Sequence, residues 1–292
     1  KEPRGEERAY MLVTEKTILG ADGTPLCLTV WEPDTDTRGV IQLIHGFGES
    51  AGRYTHWARR FTERGIAVYA SDQRGHGKTP GRRGIAESFG LFLSDADTVR
   101  GIIGEEQPGL PVSLYGHSMG GNAVLNRLLN PCSGYVCAVV SCPWLRLNGH
   151  YPRNTMDILR AVSRYMPNFT LHVALRRADI SGDQEQLLRT LDGANIHNRI
   201  AVRILLQTIR AGENAIARAA DIAIPLLYLQ GGRDSLASPR DARDFLKAAA
   251  DGGVTEFTLY PTQCHELHND TMRDAVFARI MAFFALHGAA GT

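Results

Sequence analysis

Short apolar runs alternate with stretches of helical periodicity along most of the chain. Five nearly continuous apolar runs are typical of strands buried on both faces of a parallel sheet: GVIQLIHG, IAVYASD, PVSLYG, YVCAVVSC and IPLLYLQGG. Helical stretches follow three of these runs: RYTHWARRFTER, NAVLNRLLN and SPRDARDFLKAAA. The alternation predicts an open α/β sheet with helices on both faces, and such sheets bind ligands at the carboxyl ends of their strands.

The N-terminal segment has a different pattern. YMLVTEKTIL and PLCLTVWEP flank GADGT, in which Asp22 and Gly23 are a turn signal. We therefore predict an antiparallel hairpin that precedes a mostly parallel sheet.

A long stretch between Cys142 and Ile224 contains no convincing strand but has two apolar stripes at helical spacing. We predict a helical cap of residues 145–216, inserted after the sixth strand into a core domain of residues 1–144 and 217–292. Both stripes could pack the cap onto the core, or part of the cap could line a pocket. The stripes comprise Ile158, Leu159, Val162, Tyr165 and Met166, then Ile200, Ile204, Leu205 and Ile209.

Composition and charge limit the choice of partner. With 292 residues and 43% hydrophobic content, the chain can bury a sizeable core. Its 32 basic and 31 acidic residues give a formal net charge of +1, which does not favour nucleic acid or an anionic membrane as partner. We expect a small-molecule ligand, and leave open a transient contact of the cap with a membrane.

The chain also lacks signals for membrane insertion or for metal binding. No apolar run approaches the ~18 residues that span a bilayer, so we predict a cytoplasmic protein, unless a leader was removed before Lys1. The five cysteines are odd in number and form no C-x-x-C pair, which argues against a disulfide framework and a zinc site. No metal or cofactor is expected. The cysteines are Cys27, Cys132, Cys137, Cys142 and Cys264.

Ser118 lies between Gly116 and Gly120, where an apolar run becomes a helical pattern. A bare G-x-S-x-G is weak evidence, and an ordinary turn with an incidental serine is the alternative. A strand, a tight turn and a helix, however, together define a nucleophile elbow. The N-terminal amides of that helix, including Met119, favour negative charge beside the serine, and the loop IHGFGES would supply a second amide from Phe47. These two amides predict an oxyanion hole.

A nucleophilic serine needs a base and a carboxylate that orients the base. In this architecture both follow the serine, the acid first and the histidine last. Asp234, in LQGGRDSLASP, is the predicted acid, although an aspartate in a local turn is the alternative. His265 is the predicted base and His268 the competitor. We interpret Asp72 as a loop-shaping residue, and His45, His76 and His117 as structural.

These motifs together resemble the monoacylglycerol lipase and lysophospholipase branch of the α/β-hydrolases. The segments that carry the resemblance are HGFGESAGRY, SDQRGHGKTPGRRG, GLPVSLYGHSMGG, LQGGRDSL and HELH. The resemblance covers nearly the whole chain, is weakest in the cap, and implies the α/β-hydrolase fold. It also implies the same roles for five residues: nucleophile Ser118, acid Asp234, base His265, and amide donors Phe47 and Met119.

The same resemblance implies a headgroup site. In monoacylglycerol lipases, the residues that correspond to Glu49, Arg53 and His268 lie near the glycerol moiety. The alternative is a buried ion pair that braces the loop. Phe47 is bulkier than the alanine of the mammalian enzyme, so the site beside the oxyanion hole is expected to be narrower.

We therefore expect a serine ester hydrolase that cleaves monoacylglycerols, or related single-chain lipid esters, to fatty acid and glycerol through an acyl-enzyme. A lysophospholipase or a general carboxylesterase with the same triad is the alternative. A non-catalytic ligand-binding protein on this fold is a remote one.

Overall fold

A computed structural model describes residues 11–130, 134–149, 152, 154–191, 195–250 and 252–289. Within these ranges the chain forms ten strands and nine α-helices. The strands are β1 (Leu12–Leu19), β2 (Pro25–Glu32), β3 (Gly39–Ile44), β4 (Ile66–Ser71), β5 (Val112–His117), β6 (Cys137–Ser141), β7 (Thr170–His172), β8 (Arg199–Ala201), β9 (Leu226–Gly231) and β10 (Thr255–Tyr260). The helices are α1 (Thr55–Thr62), α2 (Phe89–Glu106), α3 (Met119–Leu128), α4 (Thr155–Tyr165), α5 (Arg177–Ile180), α6 (Gln184–Leu191), α7 (Val202–Ala217), α8 (Pro239–Ala249) and α9 (Arg273–Leu286).

Eight of the strands form one sheet in the order β1-β2-β4-β3-β5-β6-β9-β10. β2 pairs antiparallel with β1 and with β4, and all other pairs in this sheet are parallel. Gly23 has a φ of +80° in the turn between β1 and β2, a conformation that glycine adopts without a steric penalty. The predicted N-terminal hairpin and the mostly parallel sheet are both confirmed.

Side chains alternate between the two faces of the sheet, so each face carries its own core. On β5, for example, Leu114 packs into one cluster and Tyr115 into the other, and both are fully buried. The first cluster includes Leu125 of α3 and Phe245 of α8, and the second includes Phe284 of α9. Helices therefore cover both faces, which explains why the central strands are apolar without interruption.

Helix α2 is an element that the sequence analysis did not identify. Its buried residues follow a helical spacing, and Ser88 caps its start by accepting a hydrogen bond from the Leu91 amide at 3.3 Å. Both signals are present in the sequence and could have revealed the helix. Its buried residues are Phe89, Phe92, Asp95, Ala96, Val99 and Ile103.

The region between β6 and β9 differs in two ways from expectation. It does contain strands, because β7 and β8 form a short antiparallel pair of three residues each, too short to show an alternating pattern. The two apolar stripes also have different environments. The second stripe is buried, and its Ile200 and Leu205 also line a cavity. In the first stripe, Ile158 and Tyr165 are exposed and Leu159 faces the same cavity. The division into core and cap remains a prediction.

Candidate active site

Ser118 lies at the junction of β5 and α3. Its φ of 53° and ψ of −117° are strained for a residue with a side chain, and among the described residues only Cys142 shares a positive φ without being glycine. The flanking glycines allow this turn. A methyl group at Gly116 would lie 2.5 Å from the Gly120 oxygen, and one at Gly120 would lie 2.1 Å from the Ile44 oxygen. A side chain at either position would therefore displace the serine.

The loop that follows β3, residues 45–50, packs directly against Ser118. A methyl group at Gly46 would lie 3.1 Å from the Ser118 Cβ atom. The amides of Phe47 and Met119 have no hydrogen-bond acceptor among the described residues. Two amides beside Ser118 are thus free to donate to a ligand oxygen, as the predicted oxyanion hole requires.

The structure brings Asp234 and His265 together across 31 positions of sequence. His265 Nδ1 lies 2.8 Å from Asp234 Oδ2. The other carboxylate oxygen, Oδ1, accepts the amides of Leu236 and Ala237, both at 2.8 Å. These bonds fix the carboxylate, and the carboxylate in turn fixes the imidazole with Nδ1 protonated and Nε2 available as a base.

Electrostatics favour the protonated form of His265. Burial lowers the pKa of this imidazole, but the charge and the hydrogen bond of Asp234 outweigh burial, so the pKa is raised above its usual value of 6.5. Glu266 and Glu49 add to the same effect. The site therefore stabilises an imidazolium, which is the form that a base reaches after accepting a proton from serine.

A cavity of about 850 Å³ opens above Ser118 and His265. Its wall is mostly apolar and comes largely from the region between β6 and β9. The apolar lining residues include Leu147, Leu159, Leu171, Val173, Ile180 and Leu205. Phe47 also faces the cavity, and its ring lies 6.2 Å from that of Trp144 and 5.7 Å from that of His197.

Glu49 and Arg53 line the cavity, but the protein itself occupies most of their polar atoms. Arg53 binds Glu49 at 2.7 Å and holds both oxygens of Glu266 at 2.8 Å. The Tyr54 hydroxyl donates to Glu49 at 2.8 Å, and the Gly46 amide donates to the same oxygen. Sequence reasoning missed Glu266. Its position next to His265 was the only signal that could have drawn attention to it.

His268 does not reach the cavity wall. Its imidazole is fully buried, stacks on Tyr54 with ring centres 4.7 Å apart, and meets His117 edge-on at 5.1 Å. Neither ring nitrogen has a hydrogen-bond partner among the described residues, and burial holds its pKa well below the usual value. His268 is therefore a neutral ring in an aromatic cluster behind the site.

The other histidines singled out from the sequence make local bonds. His45 accepts the Gln73 amide at 2.9 Å, His76 donates to the Arg74 oxygen at 2.9 Å, and His117 donates to the Ser141 oxygen at 3.1 Å. Asp72 accepts the amides of Ala51 and Lys78, at 2.7 and 2.6 Å, and thereby holds two loops together.

Among the described residues, one group of side chains has the spacing of a metal site. Ligand atoms of Cys142, Asp234 and His265 all lie within 4.8 Å of one another. Two of the three already bind each other, and burial raises the pKa of the Cys142 thiol well above its usual value. A cation at this group would have to displace the Asp234–His265 hydrogen bond. The four described cysteines are free, and Cys132 lies outside the described residues.

A strained serine at an elbow, a buried Asp–His pair and two unbonded amides beside an apolar cavity are typical of an α/β-hydrolase. Residues 35–272 match the family model described as serine aminopeptidase, S33. The chain belongs to this family, within its monoacylglycerol lipase branch, and it is a carboxylic ester hydrolase.

Individual relatives are similar over most of their length. A monoacylglycerol lipase of Mycolicibacterium smegmatis is 31% identical over 278 residues, which cover 94% of this chain and 98% of that protein. Human monoglyceride lipase is 28% identical over 267 residues, 87% of this chain and 84% of that one. The solved structure of a soluble variant of the Saccharomyces cerevisiae monoglyceride lipase, in complex with a substrate analogue, superposes with a TM-score of 0.82 at 21% identity and covers 98% of both chains. No described helix is long and apolar enough to cross a membrane.

Proposed function

We propose that this protein hydrolyses monoacylglycerols to fatty acid and glycerol. The observation that carries the proposal is the apolar cavity of about 850 Å³ that ends at Ser118, beside the buried pair of Asp234 and His265. An acyl chain would occupy the apolar cavity, and its ester carbonyl would lie beside Ser118. The names of the relatives, monoacylglycerol and monoglyceride lipases, support this substrate class.

In the proposed mechanism, the Ser118 hydroxyl attacks the ester carbonyl while His265 Nε2 takes its proton. The amides of Phe47 and Met119 donate to the oxyanion of the tetrahedral intermediate. The imidazolium, stabilised by Asp234, then protonates the glycerol oxygen as its bond to the acyl carbon breaks. A water molecule repeats the sequence on the acyl-enzyme: His265 accepts its proton, and the fatty acid leaves when the proton returns to Ser118.

One observation favours the second candidate, a general carboxylesterase. The Glu49 carboxylate accepts three hydrogen bonds from protein donors. A carboxylate has about four acceptor sites, so little capacity remains for a glycerol hydroxyl. A headgroup role for Glu49 and Arg53 therefore competes with a bracing role, and His268 could act on the headgroup only if the aromatic cluster rearranged.

A paired substrate comparison separates the two candidates. The wild-type enzyme and Glu49→Gln are assayed with a monoacylglycerol and with a p-nitrophenyl ester of the same acyl chain, so that effects of the apolar cavity cancel in the ratio. If Glu49 binds glycerol, kcat/KM falls about tenfold on the monoacylglycerol, as expected for one lost charged hydrogen bond, and much less on the aryl ester. A parallel loss on both substrates would favour the carboxylesterase.

A panel of single-chain substrates then tests the class itself. Monoacylglycerols, lysophospholipids, diacylglycerols and short aryl esters are compared by kcat/KM. A preference for lysophospholipids or for short aryl esters would contradict the monoacylglycerol proposal.

A further inference from the structure

A chain of buried charged groups connects the loop that carries His265 to the loop that carries Phe47. Glu266, the residue next to His265, holds the Arg53 guanidinium with both oxygens at 2.8 Å. Arg53 also binds Glu49 at 2.7 Å, and Glu49 accepts the Gly46 amide. Side-chain exposure is only 4%, 4% and 6% for Arg53, Glu49 and Glu266, so water screens these bonds little.

This connection joins the two halves of the catalytic machinery. The Gly46 amide lies one residue before the Phe47 amide, and Gly46 packs against Ser118. At the other end, Glu266 is held further by the side-chain amide of Asn269 at 2.7 Å. A planar guanidinium bound by two carboxylates allows little movement of either loop. Glu266, Arg53 and Glu49 therefore form one rigid bridge, and this bridge sets the distance between the base and the oxyanion donors.

The bridge also carries a net charge. Two carboxylates share one guanidinium, which leaves one negative charge without a cation of its own in a buried site. Neighbouring histidines do not neutralise it, because burial lowers the pKa of His117 to about 4 and that of His268 well below its usual value. An imidazolium at His265 is the positive charge that this environment can still stabilise.

We propose that Glu266 is a positioning residue of the catalytic histidine, which acts through Arg53 and Glu49 to fix His265 relative to the oxyanion loop and to stabilise its imidazolium form. The inference rests on the proposed role of His265 as the base. Other titratable groups also face this imidazole from the elements packed against it, and any pH effect must be judged against all of them: Asp234, Glu49, His117, Cys142 and Asp179. The backbone oxygen of Asp179 accepts the His265 amide, and its side chain pairs with Arg176.

The test compares Glu266→Gln, which removes the charge but keeps the shape, with Glu266→Asp, which keeps the charge but shortens the side chain. The readout is the second-order rate of inactivation by an alkyl fluorophosphonate between pH 5 and pH 9. This probe has no glycerol group, so headgroup binding does not enter. Glu256→Gln is the matched control, because it breaks the partly exposed pair between Glu256 of β10 and Arg279 of α9, neither of which lines the cavity.

We expect Glu266→Gln to move the acid limb of the profile to lower pH by about 0.5 to 1 unit, since a removed negative charge makes the imidazole easier to deprotonate. The plateau rate should fall about threefold, since a weaker base accepts the serine proton less well. Glu266→Asp should lower the plateau but leave the acid limb in place. The control should match the wild type in both respects.

Two results would overturn the inference: an acid limb that does not move in Glu266→Gln, or an equal movement in Glu266→Asp. If Glu266→Gln does not fold, as judged by circular dichroism, Glu49→Gln removes a charge from the other end of the bridge and should move the limb in the same direction; an unmoved limb there would equally refute it. Failure of the proposed function looks different, because the wild-type protein would then not react with the probe at Ser118 at all.

Discussion

Replacing Asp234 by asparagine is the most informative change at this site, because the surrounding donors decide how the new amide must lie. The carboxylate oxygen Oδ1 accepts the Leu236 and Ala237 amides, both at 2.8 Å. If the NH₂ group took that position, it would face these two N–H donors, one buried and one partly buried. Each bond lost at Oδ1 costs about 1 to 3 kcal/mol, whereas at Oδ2 only the longer bond from the Gln230 side-chain amide, at 3.3 Å, is lost besides that of His265. The asparagine oxygen is therefore expected at the Oδ1 position.

The NH₂ group then faces His265 Nδ1, where Asp234 Oδ2 lies at 2.8 Å in the native protein. To accept from it, the imidazole must carry its proton on Nε2 instead. An imidazole in that tautomer cannot take the Ser118 proton. Loss of the correct tautomer slows a serine hydrolase about ten-thousandfold, which corresponds to about 5.5 kcal/mol at the transition state.

The assay is the release of p-nitrophenol from an aryl ester, with the thermal melting temperature as the control for folding. We expect kcat to fall by this factor while KM changes little, because Asp234 does not touch the substrate. A loss of less than about tenfold would show that His265 keeps its tautomer without Asp234. It would refute the inference that hydrogen bonds orient the asparagine with its NH₂ group towards His265.

Four further outcomes are expected. Ser118→Ala should lose fluorophosphonate labelling and nearly all turnover while staying folded, and label on another residue would contradict its role. His265→Ala should lose labelling whereas His268→Ala should keep it, since only His265 contacts Asp234; the reverse result would exchange their roles. Gly120→Ala should lower stability by about 1 to 3 kcal/mol in denaturant titration because the backbone must move, and an unchanged midpoint would contradict the 2.1 Å contact. Burial lowers the pKa of His197 to about 4. The unfolded chain binds this proton at about pH 6.5, so the free energy of unfolding decreases as the pH falls from about 6.5 towards 4. The melting temperature of His197→Gln should therefore decrease less over this range than that of the wild type.

Much of the fold could be predicted because the sheet imposes a simple pattern. Strands buried on both faces must be apolar throughout, and each of the five runs contains a strand of the structure. The elbow could be predicted as well, because the G-x-S-x-G spacing lies where an apolar run becomes a helical pattern. The three-residue strands β7 and β8 could not be predicted, because their pairing depends on contact between distant segments and not on a repeat within either one.

The buried ion pairs, unlike the triad, could not be predicted from the sequence. A lone glutamate after a histidine is normally read as solvent-exposed, and Arg53 lies 213 positions away from Glu266. Only tertiary packing brings them together, and only then does burial make the pair strong. For His268, the sequence suggested a role that the structure does not support. Its spacing after His265 suggests a shared site, but the short 3₁₀ turn at Leu267–Asn269 directs its ring onto Tyr54. Because a carboxylate beside the base acts through charge while a neutral ring acts only through packing, substitution of Glu266 should alter the pH profile, and substitution of His268 should alter stability.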